Sequence, residues 1–172
     1  FGASSGAALG LRAAAAGLPL RKLAMYEPPF VQEGASAREP DHIAALRQLL
    51  ARGQRGAAVK YFMQDMVHAP AAVVLMMRCL FPVWAKLKAV AHTLPYDAAI
   101  MGDWRVPVAR ASEVKVPSLV LHGGKTDARL RRGAHALAAA VPGAEHGELA
   151  GQDHNAQAKV LAPVLRAFFE RP

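Results

Sequence analysis

Cysteine is almost absent from this sequence, and its scarcity excludes two kinds of cross-link. Cys79 is the only cysteine in 172 residues, so the chain cannot form an internal disulfide or a metal site built from several thiolates. Cys79 lies in an apolar run, which predicts a buried thiol.

Long apolar runs are missing as well. The longest, around 69–80, contains Arg78 and is followed by Pro82, and it is much shorter than the roughly 20 residues of a membrane-spanning helix. We therefore expect no membrane contact. No signal peptide is visible, but the chain starts at Phe1 and a signal before that point would not be seen. The expected location is the cytoplasm.

Acidic residues are outnumbered by basic ones, 13 to 21, which gives a net charge of +8. A nucleic-acid-binding protein would be expected to gather its basic residues into one stripe with aromatic residues between them. Here they are dispersed among apolar helix positions, and the tight group at Arg129, Arg131 and Arg132 is interpreted as the solvated face of a helix. Nucleic acid is not an expected partner.

Hydrophobic residues, by contrast, make up 53% of the chain, enough for a domain with a core. A helix is predicted at 7–16 and a buried strand at 20–26. The end of the chain then alternates strand, helix, strand and helix, at 114–122, 128–141, 144–149 and 156–170. This alternation predicts an α/β fold with a parallel sheet and right-handed crossovers.

The middle of the chain, 31–113, lacks the alternation that is typical of strands. Residues 34–40 are predicted to form a loop, and Asp41 is a credible N-cap for a helix. Apolar residues at helical spacing then predict a series of helices at 42–51, 57–67, 71–80, 84–91 and 96–101. We interpret this segment as an all-helical cap, inserted between core segments 1–30 and 114–172.

One motif at the start of the chain carries chemistry. Residues 2–6 read Gly-Ala-Ser-Ser-Gly, or G-x-S-x-G, and an alanine-rich helix follows directly. This order is typical of a nucleophile elbow, in which Ser4 stands at the tip of a sharp turn between a strand and a helix. Small residues on either side relieve the crowding that such a turn creates.

Two further polar residues follow predicted strands, so the chain contains Ser4, Asp127 and His154 in that order. The segments GASSG, LHGGKTD and GQDH together make the whole chain resemble the alpha/beta-hydrolase superfamily, whose triad has this order and whose cap is commonly inserted after the sixth strand. The resemblance implies that three strands of the family's sheet are present. It also implies that the chain is the C-terminal part of a longer protein.

The resemblance assigns a role to each residue. Ser4 would be the nucleophile, His154 the general base and acid, and Asp127 the carboxylate that orients His154. The backbone N–H of Ser5 would donate one hydrogen bond to the oxyanion. Asp127 is preferred as the acid because it follows Gly124 in a G-x-x-D turn, but Glu27 follows an earlier, neighbouring strand and is the alternative.

Other histidines are given structural roles. His122 lies at the end of a strand and is expected to hydrogen-bond in the core, while His146 lies on a short edge-like strand and His92 in the cap. No cofactor and no metal site is expected. His154 is preferred because it follows the last strand within a polar loop.

The predicted function is that of a serine hydrolase, which cleaves an ester or a related small carbonyl substrate through an acyl-enzyme. The same fold could serve C–C hydrolysis, acyl transfer or cofactor-free peroxidase chemistry, or bind a ligand without catalysis. A cap rich in methionine and phenylalanine suggests a small-molecule substrate with an apolar part. The second oxyanion donor is expected upstream of Phe1, and the sheet is expected to have an open edge beside residues 20–26. We therefore expect this chain alone to be unstable or to aggregate, and to be inactive.

Overall fold

The computed structural model describes residues 1–31, 41–79 and 81–171. The chain divides into two compact units, one formed by Phe1–Ala37 with Met101–Pro172 and the other by Arg38–Ile100. Their second boundary lies earlier than the position expected at 113. Trp104 and Ala111, which lie between the two positions, are buried, and this stretch counts with the sheet rather than with the helical insertion.

The first unit is built on a parallel sheet, as the alternation of strands and helices predicts. The sheet has four strands in the spatial order β1-β2-β3-β4, and every neighbouring pair is parallel. The strands are β1 (Gly2–Ala3), β2 (Leu23–Tyr26), β3 (Ser118–Gly123) and β4 (Glu145–Leu149). The strand β1 is the one that the elbow motif implies before Ser4, but it was not counted among the three predicted strands; its two residues pair with Met25 and Tyr26.

The helix after β1 begins at the elbow. This helix, α1 (Ser5–Ala15), buries Ala7, Ala8 and Leu11, and it packs against β1 and β2. Its small side chains allow a close approach to the sheet, so that a Cβ added at Gly10 would come within 2.9 Å of the Leu23 side chain.

The second unit consists of helices in its described residues. They are α2 (His42–Ala51), α3 (Arg55–Tyr61), a π-helical turn (Phe62–Met66), α4 (Ala71–Cys79), α5 (Phe81–Val90), a 3-10 turn (Ala91–Thr93) and α6 (Leu94–Met101), whose last residue belongs to the first unit. Asp41 caps α2 by accepting a hydrogen bond from the Ala44 N–H at 2.9 Å. The helix predicted at 57–67 is observed as α3 followed by the π-helical turn, so its hydrogen-bond pattern changes at Phe62. The predicted loop at 34–40 lies outside the described residues.

Some apolar side chains of the second unit face solvent. Leu75 and Met76 are exposed, whereas Met66 and Val74 are buried. Cys79 is exposed, so the prediction of a buried thiol is wrong. Its apolar neighbours in sequence form a helix with one buried residue, Val74, which leaves the other faces of that helix uncovered. Within the part of the chain that is described, no helix is long and apolar enough to cross a membrane.

Three helices complete the first unit: α7 (Val108–Ala111), α8 (Ala128–Ala140) and α9 (Ala158–Glu170). The helix α8 packs on β3, while Phe168 of α9 packs in a cluster with side chains of the sheet. Every residue of β3 is buried, as expected for a parallel strand that is covered on both faces. The carboxyl ends of β1 to β4 consequently meet along one edge, where the polar residues singled out above lie.

Candidate active site

Ser4 occupies a strained turn between β1 and α1. Its dihedral angles are φ 53° and ψ −128°, a region that residues with a Cβ rarely adopt. The turn is held by a hydrogen bond from the Ser4 N–H to the Tyr26 carbonyl oxygen at 2.9 Å. This is the geometry that the G-x-S-x-G motif predicts for a nucleophile elbow.

The two glycines of the motif are not equivalent. A Cβ added at Gly2 would collide with the carbonyl oxygen of Gly6 and would lie 2.7 Å from the backbone nitrogen of Ala7, whereas a Cβ at Gly6 would meet nothing within 4 Å. The elbow therefore requires glycine at position 2, because the backbone of α1 passes close to that position. At Gly6 there is space for a larger side chain.

Glu27 lies directly after β2 and is completely buried. Its Oε1 accepts hydrogen bonds from the Gly123 N–H, at 2.8 Å, and from the Thr126 hydroxyl. Its Oε2 lies 2.7 Å from His154 Nδ1. The backbone of Glu27 has a φ of 46°, which is unfavourable for a residue with a Cβ. This strained conformation lies at the residue whose carboxylate contacts His154.

These contacts decide the charge of Glu27. Burial raises the pKa of its carboxyl, but hydrogen bonds from His154, Thr126 and the Gly123 N–H outweigh that effect, so the pKa lies below its ordinary value. Glu27 is therefore ionised at neutral pH. A buried carboxylate needs such partners because an unpaired charge away from water is very costly.

His154 lies in the loop between β4 and α9, and its side chain is 43% exposed while that of Glu27 is fully buried. A carboxylate can only accept, so Nδ1 of His154 carries the proton, and in the neutral ring Nε2 is left as the basic nitrogen. The loop is tied to β2 because the Tyr26 hydroxyl donates to the carbonyl oxygen of Asp153. Burial and the nearby Glu27 raise the pKa of Tyr26, which keeps this hydroxyl a donor.

Asp127, the acid preferred from the sequence, has a different task. Its carboxylate caps α8 by accepting from the Arg129 N–H at 2.8 Å, and it pairs with Arg129 Nε at 3.1 Å. The hydrogen bond from the Arg129 N–H lowers the pKa of Asp127. The Asp127 side chain is nevertheless 53% exposed, whereas that of Glu27 is buried. The preference for Asp127 is therefore corrected, and the alternative, Glu27, is the carboxylate that contacts His154.

The remaining candidates fall into two places. Ser5 is the first residue of α1, where backbone N–H groups have no partner within the helix, so its N–H is suited to an oxyanion. His122 and His146 both lie beside His135. The pKa of His146 is lowered, first by burial and then by the nearby charges of His135 and His122. Sequence reasoning overlooked Thr126, although its position beside Asp127 in LHGGKTD was a usable signal.

Comparison with known proteins gave results for structures only. A scan against models of protein families and a search of curated proteins produced no match. Among solved structures, an alpha/beta hydrolase from Sphaerobacter thermophilus DSM 20745 is 45% identical with a TM-score of 0.87, over 98% of this chain. The chain covers 66% of that protein, so it spans slightly less than two thirds of the length of its relative.

Two more distant structures share the fold. The enol-lactonase from Burkholderia xenovorans LB400 is 17% identical with a TM-score of 0.64, covering 99% of this chain and 64% of its own. The 2-hydroxy-6-oxo-6-phenylhexa-2,4-dienoate hydrolase from Rhodococcus sp. strain RHA1 is 18% identical with a TM-score of 0.57, covering 99% and 63%. At these identities the likeness concerns the fold alone.

Proposed function

Because the chain belongs to the alpha/beta-hydrolase superfamily, we propose that Ser4, His154 and Glu27 act as a catalytic triad that hydrolyses an ester or a related small carbonyl substrate. The observation that carries this proposal is the 2.7 Å contact between His154 Nδ1 and the buried carboxylate of Glu27. It fixes the tautomer that a general base requires. The strained turn at Ser4 supports the role of that residue as the nucleophile.

In the first half of the reaction, His154 Nε2 takes the proton of the Ser4 hydroxyl while the oxygen attacks the substrate carbonyl. The resulting tetrahedral oxyanion accepts a hydrogen bond from the Ser5 N–H, and the positive end of the α1 dipole lies beside it. His154 then gives its proton to the departing alcohol, which leaves an acyl group on Ser4.

In the second half, water replaces the alcohol. His154 takes a proton from the water, whose oxygen attacks the acyl carbon, and then returns a proton to Ser4 as the carboxylic acid leaves. Glu27 stays ionised throughout and stabilises the imidazolium form of His154. Its low pKa suits this task, since a carboxylate that took up the proton would no longer stabilise a positive ring.

The substrate is proposed to carry an apolar part. The second unit has exposed apolar side chains, Leu75 and Met76 among them, and exposed apolar surface favours an apolar ligand. An oxygen ester is proposed because its hydrolysis uses the nucleophile, general base and carboxylate assigned above.

A fluorophosphonate probe tests the proposal without knowledge of the substrate. In the full-length protein, we expect the probe to modify Ser4, as identified by peptide mass spectrometry, and S4A to lose both labelling and p-nitrophenyl ester hydrolysis by at least ~10³-fold. A control, S112A, removes an exposed hydroxyl that donates to the Ala109 carbonyl and should retain both. Folded wild-type protein that resists the probe would refute the proposal.

A further inference from the structure

Three histidines from three different elements meet on one side of the sheet. His122 belongs to β3, His135 to α8 and His146 to β4. The β3–β4 register pairs Val120 with His146 and His122 with Glu148, so the side chains of His122 and His146 point to the same face. The ring centroids of His122 and His146 are 5.0 Å apart. The ring centroid of His135 lies 5.3 Å from that of His122 and 4.1 Å from that of His146.

Two of these spacings, 5.0 and 5.3 Å, are close to those of imidazoles around a single metal ion, while the 4.1 Å between His135 and His146 is shorter. With Zn–N bonds of 2.0–2.1 Å and tetrahedral angles, neighbouring ring centroids would lie ~5 Å apart and the ligand nitrogens ~3.3 Å apart. In the structure, one ligand nitrogen from each ring lies within 4.8 Å of the others. Small rotations of His135 and His146, which are both exposed, would close this difference.

His122 supplies the fixed member of the group. It is buried, and its Nδ1 lies 3.1 Å from the Gly123 carbonyl oxygen. A carbonyl only accepts, so Nδ1 donates and Nε2 has the lone pair that a metal requires. Histidine ligands of metals are commonly oriented in this way, with the second ring nitrogen donating to a backbone carbonyl.

The chemistry of the donors points to the class of metal. Three neutral imidazoles suit zinc and the later first-row transition metals, whereas magnesium and calcium prefer oxygen donors. The exposure of two of the rings leaves an open path from solvent and room for water as a fourth ligand.

We propose that His122, His135 and His146 bind one Zn²⁺ ion, which joins α8 to the neighbouring strands β3 and β4. The site uses none of the residues assigned to the triad, so it is independent of the proposed hydrolase chemistry. Its consequence is structural: β4 is an outer strand of the sheet described here, and the ion would hold it to the helix that packs on β3. The sequence pattern did not predict this site, because His122, His135 and His146 are 13 and 11 residues apart along the chain.

The test is a Zn²⁺ titration of the full-length protein against a chromophoric chelator. Wild-type protein is expected to bind one Zn²⁺ per chain, and H135A and H146A are expected to bind it at least tenfold more weakly. Both rings are exposed, so both variants should fold. H92A is the matched control, because His92 is an exposed histidine of the second unit that bonds to the Ala89 carbonyl, and it should bind as wild type does.

Thermal unfolding gives a second measurement. A ligand that binds only the folded state raises its melting temperature, so excess Zn²⁺ should raise the Tm of wild type and H92A but not that of H135A or H146A. The proposal is overturned if wild-type protein takes up no zinc, or if both variants match wild type in affinity and in the Tm increase. In that case the three rings only pack against one another.

Discussion

At the scale of single residues, the most informative group is the carboxylate of Glu27. It has no contact with solvent, and it receives hydrogen bonds from a backbone N–H, a hydroxyl and an imidazole. Each donor comes from a different part of the chain: Gly123 from the end of β3, Thr126 from the loop that follows, and His154 from the loop after β4. Together these donors keep the buried Glu27 carboxylate ionised, whereas burial without hydrogen bonds would favour its neutral, protonated form.

Thr126 is predicted to be a positioning residue, since its hydroxyl bonds to Glu27 and not to a reacting atom. The T126V variant retains the shape of the side chain but removes the donor. Because that donor lowers the pKa of Glu27, its loss raises the pKa, and the acid limb of the pH profile for Ser4 labelling moves to higher pH. We expect a rate loss of about tenfold at neutral pH, from an interaction of about 1–2 kcal/mol.

The conservative variant T126S distinguishes this role from simple packing. It restores the hydroxyl while removing a methyl group, so its pH profile should coincide with that of wild type. Identical profiles for T126V and wild type would contradict the assignment.

The sequence identified some of these residues but could not complete the set. Ser4 was predicted from the G-x-S-x-G motif, and His154 from its place in a polar loop after the last predicted strand. Both signals can be read along the sequence without knowledge of contacts between distant residues. The choice of acid failed because Asp127 has the same local pattern whether it orients a histidine or caps a helix. Only the three-dimensional contact with His154 separates it from Glu27.

At the scale of elements, close approach between backbones fixes where α8 lies. A Cβ at Gly133 would collide with the carbonyl oxygen of Phe30 and lie 3.0 Å from its carbonyl carbon. Phe30 is buried in the segment that follows Glu27, so this contact sets the distance between α8 and the chain near the proposed site.

The G133A variant is therefore predicted to lower the Tm, although alanine favours helices more than glycine does. The new methyl group meets backbone, which cannot move aside, and overpacking of this kind costs about 1–3 kcal/mol. The matched control is G10A in α1, where the added Cβ meets the end of the Leu23 side chain, which can rotate. An equal or smaller Tm decrease in G133A than in G10A would contradict this account.

Elements with strong periodicity were predicted well, and short or irregular ones were not. The helices α2, α8 and α9 lie within two residues of their predicted bounds because apolar side chains recur in them at helical spacing. The helix α7 was missed, and β1 was implied only by the elbow motif and not by a period, since four and two residues are too few to show one. The π-helical turn at Phe62–Met66 has no signature in a pattern of apolar residues.

At the scale of the whole molecule, the hydrogen bonds of Glu27 connect segments that are 96 to 127 residues away in sequence. They join the ends of β2 and β3 and the loop after β4 on the same edge of the sheet. Protonation of this one group should therefore affect the stability of the first unit as well as any chemistry at the site.

The sign of the pH dependence follows from the lowered pKa of Glu27. Its contribution to stability is complete above the pKa of the unfolded chain, about 4.3, and is lost as the pH falls through the folded value. We expect the Tm of E27Q to decrease less than that of wild type between pH 5 and pH 3. The control E113Q changes an exposed glutamate and should follow wild type, whereas parallel curves for E27Q and wild type would refute the prediction.

The most direct test of the central claim compares the two carboxylates that the sequence left as alternatives. It measures the second-order rate constant for fluorophosphonate labelling of Ser4 in wild type, E27Q and D127N of the full-length protein. If Glu27 orients His154, E27Q should label ~10³–10⁴-fold more slowly, and D127N should remain within a few-fold of wild type because Asp127 caps a helix at the surface. A large loss in D127N together with near-normal labelling of E27Q would contradict the account.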